Sequence, residues 1–478
     1  MNLSEYASYD GLGLAELVRR RDVTPQELEQ LARQALAAVE PQVNAVAESW
    51  AVDEVSQDAR APFGGVPFLI KDIAVHMKGK KTEFGSRLGQ GLTAPADSNL
   101  MRRFRRAGLV TIGRTTTPEM AFSTTTESVF NGPTRNPWDI SRSAGGSSGG
   151  AAAAVASGAV PLAHATDAAG SIRVPASFCG LFGLKPTRGR VSNGPHLDEV
   201  FNGFGVQLGV SRSVRDSAAL LDAIQGPESG DPYGAPPPLG PYLQDASTDP
   251  KRLRIGLQMP AWNGRAPDTD VSRVVANAAR LCESLGHQVS VAGMDLGVSW
   301  EAFVHANAQI WTGNLVGWVD DIAAAMGRKT PHEYLEPSTI ACYEYGKRAS
   351  ADDFARALAT RNTVSRAAAP FFNDFDVILT PTLPTVAQKI GTYEEKISSY
   401  DGLAWTRLVF EHSPYTAIAN VAGFPAMSVP LGADEAGLPI GVQFGANVGR
   451  EDILFQLAGQ LERAAPWAGR RAPVWAGR

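Results

Sequence analysis

The sequence predicts an α/β layer fold, and three observations carry that prediction. Some segments place apolar residues at helical spacing, others are short continuous apolar runs, and the two kinds alternate along the chain. The apolar runs are punctuated by glycine, proline and aspartate, as buried strands of a layered sheet would be. With 44% hydrophobic and 19% charged residues over 478 positions, the chain can bury a large core.

Taken in order, Thr24-Pro25-Gln26-Glu27 is a capping box with proline at the first helical position, so a surface helix is expected to open the fold. The run GGVPFLIKD has four apolar residues before a charged pair, which predicts a buried strand delivering Lys71 at its carboxyl end. Residues 99–107 read as a helix and LVTIGRT as the strand after it. AAAAVASG holds strong helix formers and then glycine, which sets Ser147 and Ser148 at the mouth of a helix, and PLAHATD reads as the next strand. Residues 225–250 are rich in proline, glycine and aspartate and predict a surface loop separating two halves of one sheet system. Beyond it, LRIGLQ is a strand, residues 270–286 a helix, and residues 300–353 a helical middle with aromatics at irregular spacing, for which core packing is the default. DVILTPTLP is a buried strand, and FPAMSVPLG with LPIGVQFGA are two strands around a turn at Gly437.

Charge and cysteine content exclude several classes of function. A formal net charge of -5 with no block of like charges argues against nucleic acid as a partner, and Arg102, Arg103, Arg105 and Arg106 suit one side of a solvated helix. Three cysteines without C-x-x-C spacing give neither a disulfide framework nor a zinc site, and they fit a reducing, cytoplasmic compartment. MNLSEYASYD lacks the charged and apolar regions of a signal peptide, and no apolar stretch is long enough to predict a membrane span.

Chemistry concentrates in residues 142–190, RSAGGSSGGAAAAVASGAVPLAHATDAAGSIRVPASFCGLFGLKPTRGR. Ser147 and Ser171 lie 24 positions apart in glycine-flanked turns, and Lys71 sits upstream. The glycines do not make a phosphate cradle, because Gly149 and Gly150 are followed by four alanines where a P-loop needs lysine and a hydroxyl residue. A nucleophilic serine needs a hydroxyl, a base and donors aimed at the developing oxyanion. Backbone N–H groups of the small-residue turn before Ser171 can supply the donors, each worth roughly 3 to 4 kcal/mol of barrier. Lysine is protonated at its ordinary pKa, so Lys71 must be desolvated to act as the base. A hydroxyl both donates and accepts, so Ser147 can pass a proton between them. The plainer alternatives stay open on spacing alone: a strand-end charge for Lys71, a helix cap for Ser147 and a turn hydroxyl for Ser171. Asp167 and Arg173 are expected to pair and brace the turn, and His164 and Cys179 to pack. Neither His305 nor His412 has a serine-acid pattern nearby that would suggest a rival triad.

GVPFLIKD around Lys71, GGSSGG around Ser147, GSIRVPASFCGLFGLKPTRGR around Ser171, and the closing FPAMSVPLG with GLPIGVQ together resemble the amidase signature family of serine hydrolases. The resemblance implies a single domain over residues 1–478 with residues 142–190 as signature core, and a large mixed twisted sheet covered by helices on both faces. It implies an amidohydrolase without metal or other cofactor, acting on a small-molecule amide. In it Lys71 is the base, Ser147 the bridging residue and Ser171 the acylated nucleophile. Ala168, Ala169, Gly170 and Ser171 form the oxyanion hole, and Gly146-Ser147 is a cis peptide. Gly146 and Trp311 are candidates for the substrate pocket, with Trp318 and Tyr343 in the same variable middle. Ala169 stands where many members have glycine, so that position is either not left-handed or carries strain. DAAGS, with PTRNPW at 133–138 and GREDILFQLAGQLE at 449–462, resembles the nylon-oligomer hydrolase branch. The alternatives within the family are the amidotransferase component of a transfer-RNA-dependent complex, and a carbamate or ester hydrolase. A homodimer is the base-rate expectation for assembly.

Overall fold

One mixed sheet of 11 strands carries the architecture in the computed structural model, which describes residues 1–52, 60–197, 199–393, 397 and 399–478. In spatial order its strands are Val46–Ser49, Val110–Thr115, Pro67–Lys71, Leu162–Asp167, Val206–Ser211, Phe182–Lys185, Ala426–Ala433, Pro439–Ala446, Val377–Pro381, Arg254–Leu257 and Gln288–Val291. Every strand that precedes residue 225 lies on one side, every strand that follows residue 250 on the other. The halves meet where Ala426 pairs antiparallel with Lys185.

Helices cover both faces, and the sequence shows why the sheet needs them. Along Val377–Pro381, Val377 and Leu379 enter one hydrophobic cluster and Ile378 the other. Ala426 and Met427 divide in the same way, so the period-two alternation of a strand is apolar on both sides. One cluster takes the helix Gly149–Ala156, whose alanines and Val155 are all buried. The other cluster takes the long helix Trp300–Ala325 and holds Phe122, Ala169, Phe201 and Trp311.

Three expectations change in the structure. The helix Pro25–Val43 has its capping box, but Leu3–Ser8 and Gly11–Arg19 precede it, short helices whose Asn2 and Asp10 caps carry the signal at their N-termini. The loop at 225–250 contains the helix Tyr242–Ala246, whose first N–H groups, of Tyr242 and Leu243, bond the Asp222 carboxylate at 2.8 and 2.9 Å. Arg103 is not part of a solvated face. It is buried, donates to the carbonyls of Ile224 and Gly226, and pairs with Glu228 at 2.7 Å, so it pins the start of that segment to the helix Asn99–Arg106.

Candidate active site

Lys71 ends a strand with no exposed residue, so its side chain leaves the sheet edge without reaching water. Its Nζ lies 2.6 Å from Ser147 Oγ, 3.0 Å from Ser148 Oγ and 2.9 Å from Thr166 Oγ1. Burial drives the Lys71 pKa well below the ordinary lysine value, against the opposing pull of the Asp167 carboxylate. A neutral amine has two N–H donors and one lone pair. The Ser148 hydroxyl donates to the Thr166 carbonyl at 3.3 Å, so toward Lys71 it accepts. With Thr166 Oγ1 as the second acceptor, a neutral Lys71 would keep its lone pair for the proton of Ser147, the shortest of the three contacts. The backbone holds this position too: Lys71 N–H donates to His164 Nδ1 at 3.2 Å, which leaves His164 Nε2–H for Gln207 Oε1 at 3.1 Å. Burial pushes the His164 pKa down to about 3, so the ring stays neutral and keeps that tautomer.

Ser147 follows a cis peptide bond from Gly146. Gly146 has no room for a side chain, since a Cβ there would lie 2.4 Å from the Thr125 carbonyl oxygen. Thr117 Oγ1 donates to the Ser147 carbonyl at 3.0 Å and fixes the turn from the other side.

The second turn is built on a buried ion pair. Arg173 and Asp167 have no exposed side-chain surface and meet through two bonds of 2.9 Å. Burial alone would raise the Asp167 pKa, but Arg173 and its hydrogen bonds outweigh it and hold the carboxyl below its usual value. The remaining Arg173 donors reach the Thr416 carbonyl, Gln443 Oε1 and Asn420 Oδ1, all in the other half of the sheet system. Thr416 Oγ1 donates to the Ala169 carbonyl.

This bracing alters the expected oxyanion set. Gly170 N–H donates to Asp167 Oδ1 at 2.8 Å and is therefore committed to the turn. Among the described residues, the N–H groups of Ala168, Ala169 and Ser171 have no protein acceptor. Gly170 is also the left-handed residue, with φ 135°, whereas Ala169 is not. The alanine that departs from the family pattern thus carries no backbone strain. A Cβ at Gly170 would lie 2.5 Å from Thr416 Oγ1.

Two cavities open on Ser171, of about 420 and 360 Å³. Ile73, Val200, Phe201 and Trp318 wall the first beside Ser147 and Thr166; Phe122, Val409 and Phe410 wall the second beside Ala169. Ala121 and Trp311 face both. Gly146, a pocket candidate from sequence, walls neither, because it packs on Thr125. Trp318 is not plain core: it forms part of the first cavity, while Tyr343 lies outside both and donates to Asp320 at 2.7 Å. His305 and His412 wall neither cavity. Among the described residues, no three His, Cys, Asp or Glu side chains converge as metal ligands.

A family model described as Amidase matches residues 24–455. The chain belongs to the amidase signature family. This amidase is 36% identical over 475 residues to the 6-aminohexanoate-cyclic-dimer hydrolase of Paenarthrobacter ureafaciens, covering 97% of this chain and 96% of that one. A solved structure of 6-aminohexanoate cyclic dimer hydrolase complexed with substrate superposes with a TM-score of 0.92 at 33% identity, covering 98% of this chain and 99% of that one. A bacterial aryl acylamidase of the same family superposes at 0.85 and 25% identity, covering 97% and 99%. As an amidase, the protein is a hydrolase of amide C–N bonds.

Two partners of Lys71 in this amidase, Thr166 and Ser148, went unrecognised in the sequence, although both stand in the run that concentrates the chemistry. So did Phe201 and Phe122, which stand in no motif that the sequence singles out.

Proposed function

We propose that this amidase cleaves neutral carboxamides through an acyl-enzyme on Ser171, with Ser147 and Lys71 completing a Ser-Ser-Lys triad. The observation that carries the proposal is the 2.6 Å contact of Lys71, whose pKa burial lowers, with Ser147, beside a cavity that Ser171 shares. As Ser171 Oγ attacks the amide carbon, its proton passes to Ser147 and the Ser147 proton to Lys71. The carbonyl oxygen gains negative charge within reach of the Ala168, Ala169 and Ser171 N–H groups. When the C–N bond breaks, Lys71 returns its proton through Ser147 to the leaving amine. Water then attacks the ester by the same relay and releases the acid.

The cavities support neutral substrates. Among the described residues, Asp167 is the one charged residue in their walls, and Arg173 already neutralises it. A cyclic amide of an ω-amino acid has no charged terminus to desolvate, which suits such walls better than a linear oligomer does. The relatives named for the 6-aminohexanoate cyclic dimer favour that class. The glutamyl-tRNA(Gln) amidotransferase component from Thermotoga maritima superposes less closely, with a TM-score of 0.78. The test is turnover of a cyclic diamide and the corresponding linear dimer, with Ser171→Ala as the blank. The cyclic substrate is expected to be preferred; equal or better turnover of the zwitterionic linear dimer would reject the substrate class.

A further inference from the structure

The wall of the first cavity contains a feature that a packed core has no need of. Phe201, Asn202 and Gly203 are consecutive left-handed residues, with φ of 50°, 53° and 85°. Glycine adopts this conformation freely, but a phenylalanine is disfavoured there and persists only where its surroundings impose it. Those surroundings are identifiable. Arg361 Nη1 donates to the Asn202 carbonyl at 3.0 Å, Asn314 Nδ2 to Asn202 Oδ1 at 2.8 Å, and Arg188 Nε to the Gly203 carbonyl at 2.7 Å. Gly203 leaves the space that Tyr233 and Arg188 fill, since a Cβ there would stand 2.8 Å from the Tyr233 ring.

The clamp determines where the Phe201 ring goes. It stacks on Trp311 with centroids 4.2 Å apart and planes 18° apart, and its centroid lies 4.8 Å from that of Trp318. Trp311, Asn314 and Trp318 are spaced three and four residues apart on the helix Trp300–Ala325, so one helix face supplies both the aromatic floor and the loop anchor. Phe201 itself is 3% exposed and walls the cavity beside Ser147 and Ser171.

We propose that Phe201 is the specificity-determining residue of the first cavity: its clamped ring, laid on Trp311, sets the largest substrate group that can stand beside Ser171. Replacing it with a smaller side chain opens space between Trp311 and Trp318 for wider apolar groups. The proposal rests on Ser171 being the nucleophile only for its kinetic readout. Its binding readout does not depend on turnover.

The experiment uses carboxamides of increasing girth: cyclopentane-, cyclohexane- and adamantanecarboxamide. In the Ser171→Ala background, tryptophan fluorescence reports their binding, since Trp311 and Trp318 flank the space concerned. Phe201→Ala is expected to shift the affinity ratio of adamantane- to cyclopentanecarboxamide by about tenfold in favour of the wider ligand. With Ser171 restored, kcat/KM on the same series is expected to shift in the same direction, chiefly through KM. Phe201→Leu, which keeps more of the volume, gives an intermediate shift and is the working variant if Phe201→Ala fails to fold. An unchanged ratio in a folded variant overturns the proposal. A shifted binding ratio with no acylation at Ser171 in the wild type would leave Phe201 in place and reject the nucleophile instead.

Discussion

At the scale of single residues, the proposed chemistry depends on one amine, Lys71, staying neutral. Lys71→Arg is expected to be inactive at every pH, because guanidinium does not lose its proton in proteins, while its bulk approximates that of lysine. In the wild type, burial lowers the Lys71 pKa, which favours the neutral amine that the proposed relay needs. The rate kcat/KM should therefore fall on the acid side, as pH drops through the lowered pKa and Lys71 becomes charged. The stability sign follows from the same shift. Between the lowered folded pKa and the ordinary value near 10.4, the unfolded chain binds a proton that folded Lys71 does not, so stability rises with pH in that window. Denaturation midpoints measured across it should rise less steeply in Lys71→Met. The turn before Ser171 gives a paired expectation. Gly170→Ala should cost about 2 kcal/mol or more and most of the activity, since it combines a left-handed backbone with a Cβ 2.5 Å from Thr416. Ala169→Gly should cost roughly 0.5–1 kcal/mol through the unfolded chain and leave kcat nearly intact. Urea midpoints and initial rates of the two variants check both.

At the scale of elements, what could be read from the chain was what local rules decide. Pro67–Lys71 is legible because four apolar residues running into a charged pair have few outcomes other than a buried strand with its last residue at the sheet edge. Residues 99–107 gave a helix for the same kind of reason, but the fate of its arginines was not local. Arg103 turns inward because Ile224, Gly226 and Glu228, more than a hundred positions away, present acceptors there. Arg103→Ala should cost about 2 kcal/mol in the unfolding free energy, and proteolytic nicking should then begin within 225–250. Lys71, Ser147 and Ser171, the proposed triad, were singled out through family resemblance rather than spacing. The capture of the Gly170 N–H by Asp167 was not, since nothing in DAAGS says which N–H the carboxylate will take. Phe201 was invisible for a related reason: its position depends on Arg361, Asn314 and Arg188, which no local pattern links to it.

At the scale of the whole molecule, the turn before Ser171 and the fold share one anchor. Arg173 joins Asp167, at the end of a strand in the first half of the sheet, to Thr416, Asn420 and Gln443 in the second. Removing it leaves a buried carboxylate without its partner, a loss typically of about 3–5 kcal/mol. Arg173→Met should lower the unfolding midpoint and the activity together, because the halves of the sheet and the turn before Ser171 loosen at once. Calorimetry and turnover on the same preparation check this. The whole mechanism rests on acyl transfer through Ser171, and the most direct measurement is intact and peptide mass spectrometry of enzyme quenched during turnover of a slowly deacylated amide or ester. An acyl mass is expected on the peptide containing Ser171, absent in Ser171→Ala. An acyl group on another residue, or undiminished turnover in Ser171→Ala, would contradict it.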